Sequence, residues 1–153
     1  MHPLQAEKKL VRARSKDEIR DLLMGQHAIL RVMLAGLATS CDRCLREGAL
    51  PSGLKVRIAE LRPAFELHLR SEESCLEPIL AGHSWGPVRL TLLQAEHAHQ
   101  RAVFKALARS EARLEPLGLA RLAAALVEDL LADMDGEECE LFAAVGLQRR
   151  PGP

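Results

Sequence analysis

The sequence predicts an all-α protein, an up-down-up-down antiparallel four-helix bundle, and three observations point there. Ala and Leu dominate a chain of 153 residues that is 48% hydrophobic, with no Tyr and one Trp, while Val, Ile and Thr are sparse. Apolar residues recur at steps of three and four along four long stretches, the rhythm of a helix that buries one face. Short turns carrying Gly and Pro separate those stretches, and short turns between long amphipathic helices force antiparallel neighbours. A chain of this length forms one domain, burying about 70% of the surface its unfolded form exposes.

Residues 1–15 begin MHPLQAEKKLVRAR, a mixture of charge and apolar residues without a clean period, and are expected to form an arm outside the bundle, with His2 solvated. Ser15-Lys16-Asp17-Glu18 then matches a capping box, so the first helix is expected from residue 16 to about Glu47, where Gly48 and the turn Pro51-Ser52-Gly53 end it. Its inward seam is Leu23, His27, Leu30, Leu34, Leu37, Cys41 and Cys44. With Ser52 as its cap, the second helix is expected from Leu54 towards Leu80, kinked by Pro63 about a turn before His68 and closed by Pro78 and AGHSWGP. Counted from Leu61, its seam runs Phe65, His68, Glu72, Cys75, Ile79, in steps of 4, 3, 4, 3, 4.

His83 and Trp85 fall in the following loop, where His83 is expected at the surface. Pro87 suits the first turn of a third helix, expected over residues 88–114, with Leu90, Leu93, His97, Phe104 and Leu107 inward. His99 lies about 200° around from His97 and is expected to face outward. Glu115-Pro116-Leu117-Gly118 opens the fourth helix, whose seam reads Leu119, Leu122, Leu126, Leu130, Asp133, Glu137, Leu141. The bundle is thus expected over residues 16–146, with a disordered tail at 147–153.

Lys plus Arg and Asp plus Glu both number 21, so no basic field exists to hold a nucleic acid backbone. No cleavable leader pattern is visible, and no stretch reaches the ~18 uninterrupted apolar residues of a membrane span. A cytoplasmic location without a membrane partner is therefore expected. Cys41, Cys44, Cys75 and Cys139 fit that compartment as reduced thiols. Cys41-x-x-Cys44 reads as small core residues or as a redox pair; the first is favoured, because a thioredoxin-type pair sits at a helix N-terminus.

Polar residues interrupt every apolar seam: His27, His68 with Glu72, His97, and Asp133 with Glu137. Positions i and i+4 lie one above the other on a helix, so His68 and Glu72 can reach one ion. An unpaired carboxylate in an apolar interior takes up a proton, finds a partner or binds a cation. Three His and three carboxylates form a mixed nitrogen and oxygen set suited to iron or manganese. SEESCLEP after His68 is echoed by GEECELF after Asp133, each with a first Glu inward and a second, Glu73 or Glu138, at the flank. A salt-linked core without metal, with Arg101 paired to Asp133, is the alternative.

On the patterns GQHAILRVML, HLRSEESCLEP, QAEHAHQRAVF and DMDGEECELF, the chain resembles the hemerythrin-like family over residues 17–145. That family's HHE cation-binding domain is a four-helix bundle around a non-haem di-iron centre. The resemblance implies that His27, His68, Glu72, His97 and Glu137 are ligands to two irons, with manganese as a variant and the Glu residues as bridges. It also implies small diatomic or peroxide ligands. Two positions depart from the pattern. Asp133 stands where a fourth-helix His is usual, and Arg101, which cannot ligate, stands where oxygen-carrying members resemble one another in a second third-helix His. Binding or sensing of iron, dioxygen or nitric oxide and enzymatic removal of peroxide stand side by side as functions, with the metal-free bundle third.

Overall fold

The computed structural model describes residues 14–49, 53–111, 113 and 115–147. The expected arm and tail lie outside these residues apart from Arg14, Ser15 and Leu147, and so does the expected Ser52 cap.

Helix α1 spans Lys16–Glu47, both limits as expected. The Glu18 N–H donates to Ser15 Oγ at 3.2 Å and the Ser15 N–H donates to Glu18 Oε2 at 2.7 Å, which closes the capping box. Gly48 ends the helix at φ 68°, a left-handed conformation that a side chain would disfavour. The buried face is the expected seam with Ile19 added. By length and composition α1 could also cross a membrane, with a window of mean hydropathy 1.3; here its buried stripe packs inside the bundle.

Helix α2 spans Leu54–Ala81 and contains both Pro63 and Pro78. Pro78 therefore does not close it, contrary to expectation. One lost backbone bond is outweighed by fully buried Leu76 and Leu80 on either side, and the helix stops where the Gly82 N–H bonds to Ile79 and Leu80 carbonyls. Helix α3 covers Gly86–Ser110 instead of 88–114. It begins earlier because Pro87 occupies its first turn. It ends earlier because Ser110 Oγ donates to the Ala106 carbonyl at 2.8 Å and Glu115 must be extended before Pro116. Helix α4 spans Pro116–Gly136 and continues through a π-turn, Glu137–Leu141, into a last helical turn, Phe142–Ala144.

The α2–α3 turn is so tight that a Cβ on Gly86 would lie 1.6 Å from the Leu80 carbonyl oxygen. Backbone cannot swing aside as a side chain could. Gly86→Ala is expected to cost about 3 kcal/mol and to lower the midpoint of a thermal melt followed by circular dichroism. An unchanged midpoint would show that the turn is laid differently.

Helix α1 packs on α2 and α4, α2 packs on α3, and α3 meets α4 most sparsely. Lys16 Nζ donates to the Val145 carbonyl at 2.8 Å, which ties the start of α1 to the end of the fourth arm. The apolar interior is divided in two. One cluster holds Leu30, Leu34, Leu61, Phe65, Phe104 and Leu130 among others; the other holds Ile19, Leu23, Leu76, Leu80, Leu93 and Phe142. Cys41 and Cys44 lie in the first, where burial pushes the Cys41 thiol up to about 11 and Cys44 Sγ donates to the Pro116 carbonyl at 3.4 Å. Both behave as core residues.

Candidate metal centre

Between the two apolar clusters lies a polar layer to which every helix contributes. His27 falls between Leu23 and Leu30 on α1, His68 and Glu72 between Phe65 and Leu76 on α2, and His97 between Leu93 and Phe104 on α3. Glu137 opens the π-turn after α4. His27, His68, Glu72 and His97 are each no more than 1% exposed, and the Glu137 side chain is 11% exposed.

The four groups His27, His68, Glu72 and Glu137 offer ligand atoms that all lie within 4.8 Å of one another. His27 Nε2 is 3.2 Å from both His68 Nε2 and Glu137 Oε2, and His68 Nε2 is 3.8 Å from Glu72 Oε2. His97 joins from the other side, with Nε2 3.2 Å from Glu72 Oε2. Asp133 is placed differently from expectation. It is exposed, its Oδ2 accepts a bond from Gln100 Nε2, and it stands outside the four-residue group; Met134 takes the buried position beside it.

Each imidazole is gripped at Nδ1. Glu138 accepts from His27 at 2.7 Å, Gln26 Oε1 accepts from His68 at 3.1 Å, and Glu73 accepts from His97 at 2.9 Å. Guanidiniums hold the two carboxylates in turn: Arg31 reaches Glu138 at 2.7 Å and Arg101 reaches Glu73 at 2.8 Å. Burial alone would raise Glu73 and Glu138, but these arginine and histidine partners bring both below the usual carboxylate range, so both are ionised acceptors. The arrangement favours a proton on Nδ1 of each ring, so that Nε2, once it gives up any proton of its own, turns a lone pair inward, as metal-binding histidines require.

The echo between the second and fourth helices thus has a structural meaning. Glu72-Glu73 embraces His97, whose ring is followed four residues on by Arg101; Glu137-Glu138 embraces His27, followed at the same spacing by Arg31. Arg101 anchors Glu73 and Glu66, so the pair with Asp133 that belonged to the metal-free alternative is not formed. The symmetry fails at one place, where His68 on α2 is answered by Asp133 on α4.

Two successive Glu residues serve one ring here as Glu72 and Glu73 do from the regular helix α2, with Glu137 and Glu138 at opposite nitrogens of His27. The π-turn follows them, and the Phe142 N–H bonds back five residues to the Glu137 carbonyl. Phe142 stacks on the same ring at 5.7 Å and 18°. Gln26, Arg31 and Gln100 were not foreseen from sequence. Gln26 and Arg31 lie one and four residues from His27, and Gln100 lies three from His97, so helical spacing around each histidine was the available signal. His99 is exposed as expected, and His83 is half-buried against Trp85 at 4.8 Å.

Once deprotonated, the inward atoms are all acceptors: three Nε2 lone pairs and the carboxylates of Glu72 and Glu137. The 3.2 Å contacts of His27 Nε2 with His68 Nε2 and of His97 Nε2 with Glu72 each need a proton between them when no metal is bound. Glu72 Oε1 and Glu137 Oε2 are buried without a hydrogen bond, although His27 Nε2 lies near the latter. Five acceptors facing one another between two apolar clusters need cations among them. Without metal, protons supply the charge. Burial holds Glu72 up at about 7 against the pull of His97, and holds His68 down to about 3 with His27 and His97 beside it. Burial also disfavours charge on His27 and His97, but the adjoining Glu137, Glu138, Glu72 and Glu73 outweigh it and raise both.

A metal ion must displace those protons. Because Glu72, His27 and His97 all keep protons to higher pH than usual, metal affinity is expected to be greatest above pH 7 and to fall as pH drops to 6. Competition with a chelator at pH 8, 7 and 6 measures it. An affinity independent of pH would contradict this ligand set.

A hemerythrin HHE cation-binding domain model matches residues 18–146, which cover the whole polar layer. Searches of curated proteins and of solved structures returned no match. The buried group of His27, His68, Glu72 and Glu137 and the matched residues coincide, and the chain belongs to the hemerythrin HHE cation-binding family.

Proposed function

We propose that this chain is a non-haem di-iron protein that binds or senses iron, dioxygen or nitric oxide, with manganese as the alternative metal. His27, His68, Glu72, His97 and Glu137 would hold the ions, with Asp133 outside that set at the solvent side. The observation that carries the proposal is the convergence of four ligand groups, His27, His68, Glu72 and Glu137, whose ligand atoms lie within 4.8 Å of one another, with His97 Nε2 3.2 Å from Glu72. Three imidazoles with carboxylates suit iron, and the free thiols lie elsewhere, in keeping with a reducing cytoplasm. Bound iron would supply Lewis acidity and one-electron chemistry. The chain's own part is to orient three rings through Gln26, Glu73 and Glu138, to exclude water with an apolar cluster on either side, and to admit a small molecule.

A second reading, an enzyme that removes peroxide, draws on the cleft between α3 and α4. It has a volume of about 320 Å³, reaches Glu137 and is lined by Gln100 and Asp133, which leaves room beyond a diatomic gas. The residues disfavour reversible oxygen carriage. Asp133 and Arg101 leave three imidazoles facing the layer, and anionic oxygen donors stabilise the harder ferric state. Metal analysis and an optical spectrum of protein purified without chelator come first. On anaerobic reduction and admission of air, the visible spectrum is expected to change in one direction only, and peroxide or nitric oxide to perturb it. A spectrum that returns to its starting form under vacuum would overturn this reading, and Asp133→His is expected to move the protein towards that behaviour.

A further inference from the structure

The polar layer is closed on three of its four flanks. Between α1 and α4, Arg31 lies across Glu138 and Asp135 at 2.7 and 2.8 Å. Between α2 and α3, Arg101 lies across Glu73 and Glu66 at 2.8 and 3.0 Å. On both flanks the guanidinium ties up two carboxylates and fills the gap between the helices. Between α1 and α2, Gln26 Nε2 donates to Ser71 Oγ at 2.9 Å and closes the gap with a neutral bond. Apolar clusters seal both ends.

The α3–α4 flank is built in the opposite way. Glu96, Asp133, Glu137 and Glu140 line its cleft, and the one cation among the lining residues, Arg89, is held by Glu96 at 3.2 Å. Gln100 lies on the same wall and is only 7% exposed, yet its Oε1 has no partner. Its amide cannot be turned round without setting oxygen against the Asp133 carboxylate, because Nε2 donates there. The cleft therefore offers carboxylates and one fixed amide carbonyl, with no free donor among these groups. Oxygen donors of this kind suit a hard divalent cation.

We infer that the α3–α4 cleft is the route by which a divalent cation enters the centre, with exposed Asp133 as the first group to receive it and the buried Gln100 carbonyl as the next. Glu137 borders both the cleft and the buried ligand group, so it takes the ion over from them. This assignment rests on the metal-centre reading and adds a separate role for residues at its edge. Asp133, exposed and bonded to Gln100, is placed to strip water from an arriving ion without needing to hold it afterwards.

The test is the rate at which chelator-treated protein takes up cobalt(II), followed by its visible absorption, with ions per chain measured at the end. Cobalt(II) does not oxidise on the timescale of the assay and so separates loading from redox chemistry. Asp133→Asn and Gln100→Leu are each expected to slow uptake about tenfold while reaching the wild-type final content. Arg89→Ala is expected to accelerate it, and added salt to slow the wild type more than Asp133→Asn. Asp42→Asn, on the far end of α1, serves as the control with an unchanged rate. Wild-type rates in both cleft variants would overturn the route, and so would final contents that fall in step with the rates, which would make these residues permanent ligands. A wild-type chain that takes up no cobalt would remove the metal centre itself and the route with it.

Discussion

Alanine at His68 should strip the purified chain of most of its metal. His68 Nε2 faces His27, Glu72 and Glu137 at 3.2, 3.8 and 4.0 Å, so its removal takes away the donor common to all the others in the four-residue group. Glu137→Ala should have a similar effect, because it removes a carboxylate that lies against both His27 and His68. A graded variant separates loss of a ligand from loss of its support. Gln26→Leu leaves His68 in place but frees its Nδ1, and changes of that kind weaken metal affinity about 10- to 100-fold. His99→Ala and His83→Ala should keep the wild-type metal content, since neither ring faces the layer. Metal per chain by elemental analysis decides the matter; full occupancy in His68→Ala would sink the assignment.

Removing the metal with a chelator should lower the melting temperature by about 5–10 °C, a figure that follows from ligand linkage at roughly a hundredfold excess over Kd. The physical source is the acceptor layer. Stripped of its ion, it must keep Glu72 and Glu137 beside three inward lone pairs, and the protons that replace the metal are fewer charges in poorer positions. Calorimetry of the same preparation before and after chelation, at pH 7.5 or above, gives the comparison. Equal melting temperatures would favour a salt-linked core that never needed metal.

Helix boundaries were legible where local chemistry is strong. Ser15 with Glu18, Gly48 and Pro116 each leave a backbone group only one way to be satisfied, and the corresponding limits were readable. His27, His68, Glu72 and His97 could be placed because each interrupts a run of buried apolar neighbours at helical spacing. Asp133 could not, since it lies one regular helical turn before Glu137 but at the edge of the buried face, a difference of about 40° that spacing alone does not resolve. Met134 occupies the buried position on the Leu126, Leu130 line instead, and Glu137 comes inward at the start of the π-turn. No composition marks that turn. Arg101 was legible as a residue that cannot ligate, but its role was not, because the carboxylate it holds is on another helix. Neutral amides such as Gln26 and Gln100 do not disturb an amphipathic pattern, so their contacts emerge only in three dimensions.

The π-turn at Glu137–Leu141 turns chain length itself into information. The turn holds one residue more than an α-helix needs between Glu137 and Phe142, and five residues closed by an i to i+5 bond cover nearly the rotation that four cover in an α-helix. Deleting exposed Cys139 would therefore restore ordinary α spacing and leave Phe142 near the ring of His27 and the Val145 carbonyl near Lys16. A one-residue gap at this turn, in any sequence set beside this one, would thus be compatible with the same site, whereas a one-residue gap within α4, which has no residue to spare, would turn Glu137 off the layer by about 100°.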